Sequence, residues 1–238
     1  MTIVAIHQPN FFPWLGYFDK IARCDHFVLL DHVQIQKTGG VWSNRVRMMV
    51  GGGPEWVTAP INRTFHGIRA VNEIEFADRQ PWRDKLLKTL AASYGRAPYF
   101  AETMSCVEPL VANADNNLAR YNGHAILALV AHVGMRAPAW HWSSALDVDA
   151  KSTDLLVHIT RRLGGDVYLC GGGAGEYQQD ETFAAAGLAL HYQNFQHPQY
   201  TQRHGAGFVP GLSIVDALMN CGRDGVSRLL SPRSGVDK

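Results

Sequence analysis

Three polar stretches, each directly behind a short apolar run, carry most of the side chains here that can do chemistry. His7, Gln8 and Asn10 follow the run Thr2–His7, and Asp31, His32, Gln34 and Lys37 follow Phe27–Leu30. The run Asp166–Cys170 leads into Gly171, Gly172, Gly173, Ala174 and Gly175, with Glu176 and Tyr177 behind them. Imidazole, carboxylate and lysine at such positions suit acid–base work and anion binding, and glycines let backbone approach a ligand closely. A plain flexible turn is the competing account of the glycines.

Trp42-Ser43-Asn44-Arg45-Val46-Arg47 adds two arginines at i, i+2. On a strand both lie on one face and form a two-pronged donor for phosphate or carboxylate, with Lys37 as a third cation. A solvated strand edge is the alternative. The loop FFPWLGY places Gly16 at a helix start, where unpaired N–H groups can face an anion. That is the place of the His-x-Gly-His signature of nucleotidylyltransferase-like (HUP) folds. Here the frame reads Trp14-Leu15-Gly16-Tyr17, so phosphate chemistry would need substitutes such as His7, Lys20 or Lys37. A hydrophobic plug of Phe11, Phe12, Trp14 and Phe18 explains the loop equally well.

Other chemistries lack their residues. Gly171–Gly175 does not end in Gly-Lys-Ser/Thr, so it is no P-loop. The eleven histidines form no HExxH and no zinc-spaced pair, and no tightly bound metal is expected. No Gly-x-Ser-x-Gly elbow occurs, and Ser143-Ser144 has no evident base partner.

The elements that must position these groups alternate between strand and helix. Thr2–His7, a helix over Leu15–Arg23 with Leu15, Phe18, Ile21 and Ala22 inward, and Phe27–Leu30 make a βαβ crossover. Val41–Val50 and Glu55–Ile61 read as strands around Gly51-Gly52-Gly53-Pro54. Trp82–Tyr94 and Asn117–Val133 read as amphipathic helices ended by Gly95 and Gly134. Trp140–Trp142 reads as a strand, Ser152–Leu163 as a helix capped by Ser152 or Thr153, Leu188–Tyr192 as a strand and Ser213–Met219 as a short helix. The pattern predicts one α/β domain over 1–238, with a parallel Rossmann-like sheet and a helix-rich insertion or cap at about 81–134. If the three polar strand ends are parallel neighbours, they meet on one edge.

Hydrophobic residues make up 46% and charged residues 18%, enough for a packed core. A net charge of +1 argues against a nucleic-acid partner, which needs a basic stripe. No signal peptide, no membrane span and no cysteine pairing pattern is evident, which points to the cytoplasm.

Taken in order, IHQPNFFPWLGYFDKI, FVLLDHVQIQK, WSNRVR, WVTAPI, YLCGGGAGEYQQD, FQHPQYTQ and GLSIVDALMNCG resemble the WbqC-like family over nearly the whole length. His32 and Ile35 depart from it, standing where an acidic and an aromatic residue are expected. The resemblance implies a cytoplasmic protein of bacterial or archaeal surface-polysaccharide (O-antigen or capsule) assembly. Joined to the site residues, it suggests ATP-dependent amide formation on a nucleotide-linked amino sugar, with glycine as one acyl donor and ATP with Mg²⁺ as cofactors. Gly16 would then hold phosphate, and His7, Lys37, Arg45 and Arg47 would stabilise its charge. Gln8, Asn10 and Gln34 would orient carboxylate or sugar, with Asn44 beside the arginines. Asp31 would take the amine proton or hold Mg²⁺. His197, Tyr200 and Gln202 would close over the sugar, while Ser213, Asp216 and Asn220 read better as helix capping. Expected partners are a nucleotide sugar and a small carboxylate or amino acid, with a homodimer as one arrangement. A non-catalytic binding or scaffold protein and an acyl-CoA-dependent acyltransferase are the alternatives.

Overall fold

The run Ile3–His7 forms β1, and Val4, Ala5 and Ile6 are buried on both of its faces. The computed structural model describes residues 1–36, 40–77, 81–171, 180–203 and 207–230. α1 (Leu15–Ala22) carries the chain to β2 (His26–Leu29), which pairs parallel to β1. A hairpin, β3 (Arg45–Val50) and β4 (Gly53–Thr58), follows with Arg47 opposite Trp56. Next come α2 (Trp82–Tyr94), α3 (Phe100–Val111) and α4 (Leu118–Val133). The chain then re-enters the sheet as β5 (Ala139–Trp142) and crosses by α5 (Ser152–Arg162) to β6 (Val167–Cys170). It closes with α6 (Asp180–Ala185), β7 (Ala189–Tyr192) and α7 (Ile214–Leu230).

The sheet order is β5-β2-β1-β6-β7, with every pair parallel. The chain builds outward from β1 through β2 to β5, then returns to the other side of β1. This is a Rossmann-like core, and β1 and β6 flank its topological switch point, where open α/β sheets bind ligands. Helices cover both faces, as a parallel sheet requires. Ala5, Phe27, Leu29 and Leu169 join α1, α4 and α7 in one apolar cluster; Val4, Ile6, Val28, Tyr168 and Cys170 join α5 and Phe183 in another. Trp82, Leu86, Tyr121 and Leu129 of the middle helices belong to the first cluster.

Three differences from the expected elements have local causes. α3 escapes the periodicity because Pro109 and polar residues interrupt its apolar stripe. α7 runs on to Leu230 through a kink at Gly222 (φ +68°), a terminator-like glycine that instead admits the Tyr99 ring, against which an added Cβ would collide. α5 starts at Ser152 with Lys151 as its N-cap residue and no side-chain cap, so neither Ser152 nor Thr153 plays that part. Gly134 does close α4 in the left-handed conformation (φ +72°). Among the described residues no helix is long and apolar enough to cross a membrane.

Candidate functional site

The carboxyl end of β1 is where the sheet opens. β1 pairs with β6 only through Ile3, Val4 and Ala5, so Ile6 and His7 run on past it. The His7 carbonyl accepts from Leu30 N–H on the β2 side, at 2.8 Å. Ile6, one residue earlier, therefore faces its carbonyl toward β6. There Lys20 Nζ donates to it at 2.9 Å, from a side chain only 2% exposed. The ammonium also lies 5.8 Å from the Tyr168 ring centroid. Burial lowers Lys20 to about 8, partly offset by neighbouring Cys170 and Cys24. Among the described residues no carboxylate bonds to this buried ammonium, an arrangement that is costly without a compensating charge.

His7 shares this corner. Its Nδ1 lies 3.1 Å from the Gln8 carbonyl and its ring packs edge-on to Tyr17, whose hydroxyl donates to the same carbonyl at 3.1 Å. Burial, and secondarily the Lys20 charge, push His7 down to about 3. It is thus a neutral imidazole, and among the described residues the positive charge at the switch point is that of Lys20. Lys20 was legible in sequence only as a substitute cation, although Tyr17, Lys20, Ile21 and Cys24 fall at i, i+3, i+4 and i+7. A lysine inside an otherwise apolar helical stripe is the feature that points to it.

Gly16 is buried in the first turn of α1, and an added Cβ would run into the Trp14 indole. Its carbonyl accepts from Gln193 Nε2 at 2.6 Å. Trp14 in turn packs 5.4 Å from Phe195 and 5.1 Å from His197, ring centroid to centroid. His197 therefore joins an aromatic roof over this turn, with burial lowering its pKa. Phe11, Phe12 and Phe18 are core residues, as the plug account of the loop holds.

Asp31 lies past the end of β2, where it meets the end of β5. Its Oδ1 accepts from Ser143 Oγ and Ser144 N–H, both at 2.9 Å; its Oδ2 accepts from Ser144 Oγ at 2.7 Å and Asn72 Nδ2 at 3.2 Å. Four donors fill the carboxylate, leaving it poorly suited to Mg²⁺ in this arrangement. His32 Nδ1 lies 2.6 Å from Ser143 Oγ, so Ser143 has an imidazole partner after all. Sequence reasoning gave Asn72 no role and set Ser143-Ser144 aside for want of a base partner; all three stand far from Asp31 in the chain.

The other candidates fall into separate groups. Arg45 stacks its guanidinium 4.2 Å over the Trp56 ring, and its buried Nε has no hydrogen-bond partner among the described residues. Arg47 shares the β3 strand face with it, and a cleft of about 280 Å³ between β4 and α2 is lined by Trp56, Phe11, Trp82, Glu55 and Lys85. Asn44 is buried and holds Ala59 O and Val41 N–H, while Asn10 is buried beside Pro9 and Gln34 is exposed. Tyr200 Oη (2.7 Å) and Gln202 Nε2 (3.2 Å) both donate to the Asp216 carboxylate, together with Tyr94 Oη (2.9 Å). Their polar ends thus turn inward. Ser213 Oγ accepts from Val215 N–H, in keeping with capping at the start of α7. Asp216 holds tyrosine and glutamine donors instead, and Asn220 Nδ2 bonds back to the Asp216 carbonyl inside the helix, so neither of these two is a cap. Gly171 is half-buried at the end of β6; Lys37, Gly172, Gly173, Glu176 and Tyr177 lie outside the described residues. Among the described residues no group of three or more His, Cys, Asp or Glu side chains is placed to hold a metal.

Because β1, β2, β5 and β6 are parallel, His7, Asp31, Ser143 and Gly171 all stand at one edge of the sheet. The profile of the WbqC-like protein family matches residues 8–228. The uncharacterized protein Rv1507c of Mycobacterium tuberculosis is 29% identical over 229 residues, covering 94% of this chain and 96% of that protein. No solved structure matches the chain significantly.

Proposed function

The chain belongs to the WbqC-like protein family, and on that premise we propose that it is a cytoplasmic enzyme of bacterial surface-polysaccharide assembly that forms an amide on a nucleotide-linked amino sugar at the expense of ATP. Its acyl donor is a small carboxylate or amino acid, of which glycine is one. The observation that carries the reading is Lys20, a buried ammonium standing between β1 and β6 at the switch point. Phosphate or an activated carboxylate there meets a fixed cation in a low-dielectric crevice, where it stabilises developing negative charge most strongly. Arg45 and Arg47 supply further cationic donors on the hairpin for the nucleotide portion. ATP brings its Mg²⁺ through its own phosphates, since Asp31 is filled by protein donors.

Purified protein incubated with ATP, glycine and a dTDP- or UDP-amino sugar tests this. AMP release that requires both co-substrates supports ligation. A second reading, a non-catalytic sugar-nucleotide binder, is favoured by Trp14 and Tyr17 standing where the phosphate-handling histidines of nucleotidylyltransferases would be. It expects thermal stabilisation by nucleotide sugar with no turnover. Stabilisation by CoA but not by ATP would favour an acyl-CoA donor instead.

A further inference from the structure

Asp31, Ser143 and His32 form a chain whose hydrogen positions follow from chemistry. Ser143 has one hydroxyl hydrogen. Its oxygen receives the Asp31 backbone N–H at 3.0 Å and lies 2.9 Å from Asp31 Oδ1 and 2.6 Å from His32 Nδ1. The carboxylate has no hydrogen to give, so the hydrogen between Ser143 Oγ and Asp31 Oδ1 is the serine's. It is then unavailable to His32, and Nδ1 must carry the hydrogen of the 2.6 Å contact. Neutral His32 is therefore the Nδ1–H tautomer, with Nε2 bare. The ring is half-buried at the carboxyl edge of the sheet, and Nε2 makes no hydrogen bond to any described residue.

This arrangement holds an imidazole by one nitrogen and presents the other as a base. We propose that Asp31 and Ser143 hold His32 so that its Nε2 takes the proton from the attacking amine during amide formation. This rests on the function proposed above and names the group that serves it. The amine nitrogen attacks the acyl carbon of the acyl-adenylate, forming the N–C bond. The C–O bond to phosphate breaks, AMP leaves with the bonding pair, and the proton shed by nitrogen passes to His32 Nε2. Asp31, with four donors on its carboxylate, is a positioning residue. His7 is the poorer base, since burial and Lys20 hold it at about 3.

Histidine-¹⁵N labelling of the full chain and long-range ¹H–¹⁵N spectra at alkaline pH test the tautomer without any substrate, with His32→Gln assigning the signal. An Nδ1–H pattern is expected; an Nε2–H pattern overturns the proposal. Ser143→Ala should release the ring toward Nε2–H, and should that variant fail to fold, the wild-type spectrum decides. For the chemical role, glycine-dependent exchange of pyrophosphate into ATP reports acyl-adenylate formation separately from amide product. His32→Gln is expected to slow amide formation about 100-fold more than exchange, at the lower end of general-base contributions. Equal losses in the two would overturn the base role while leaving the amide-forming function standing. If wild-type protein shows neither exchange nor amide, that function falls and the amine role of Nε2 falls with it, whereas the tautomer result stands.

Discussion

Lys20 Nζ meets the Ile6 carbonyl at 2.9 Å on the side where β1 has run past its pairing with β6. A side chain of α1 thus occupies the place where a neighbouring strand would continue the ladder. The contact satisfies the carbonyl, and among the described residues the ammonium makes no further hydrogen bond.

Replacing Lys20 by Met should stabilise the protein at pH 7 and abolish its activity. The folded pKa of about 8 lies below the ordinary lysine value of 10.5. The unfolded chain then binds more protons between those limits, so wild-type stability rises with pH across about 8 to 10.5. Below that window the penalty is complete. Loss of the bond to Ile6 offsets part of the gain, leaving about 1–2 kcal/mol. Urea unfolding from pH 6 to 11 should show the variant's advantage shrinking toward the alkaline end.

His7 works on the acid side. Its folded pKa of about 3 lies below 6.5, so its contribution is present above about 6.5 and lost as pH falls toward 3. The acid limb of the wild-type stability curve should therefore be steeper than that of His7→Gln. Parallel limbs in chemical denaturation would contradict a neutral imidazole at His7.

Arg45→Ala should weaken nucleotide-sugar binding about 10- to 100-fold by titration calorimetry, as expected for loss of a charge-assisted donor. Arg45→Lys should recover little of it, because an ammonium loses both the fork and the stacking on Trp56. Unchanged affinity in Arg45→Ala would remove the hairpin from the site.

Asp216 ties α7 to Tyr94 of α2 and to Tyr200. Asp216→Ala leaves buried hydroxyls unmatched and should cost about 3–5 kcal/mol, and Tyr200→Phe about 1–3 kcal/mol. Both are expected to lower Tm. A fall in turnover without a fall in Tm would move Tyr200 back among the ligand contacts.

Gly16→Ala forces a methyl against Trp14 and should cost about 1–3 kcal/mol. In a Trp14→Leu background most of that cost should disappear, a coupling that a double-mutant cycle reads directly.

Local pattern was enough to determine the strands and helices around the site. The apolar run Ile3–His7, the stripe Leu15–Ala22 and the buried run Val167–Cys170 declare themselves by periods of two and 3.6, and by glycine and proline at their ends. The polar strand ends were legible for the same reason, because side chains that interrupt an apolar run are visible to their neighbours in sequence. The strand order was decided only in three dimensions, since it depends on β6 returning to β1 from far along the chain, with Ile3 paired to Val167. That return buries Lys20, which the sequence shows only as a lysine inside an apolar helical stripe, with nothing to say what covers it. Asp31 likewise looks like a free carboxylate until Ser143, 112 residues away, arrives at the end of β5. Tyr200 and Gln202 read as ligand contacts until Asp216 is found behind them. Element type is written in separations of two to four residues. Whether a polar group is free, filled or buried depends on distant partners, and only the packed fold supplies those.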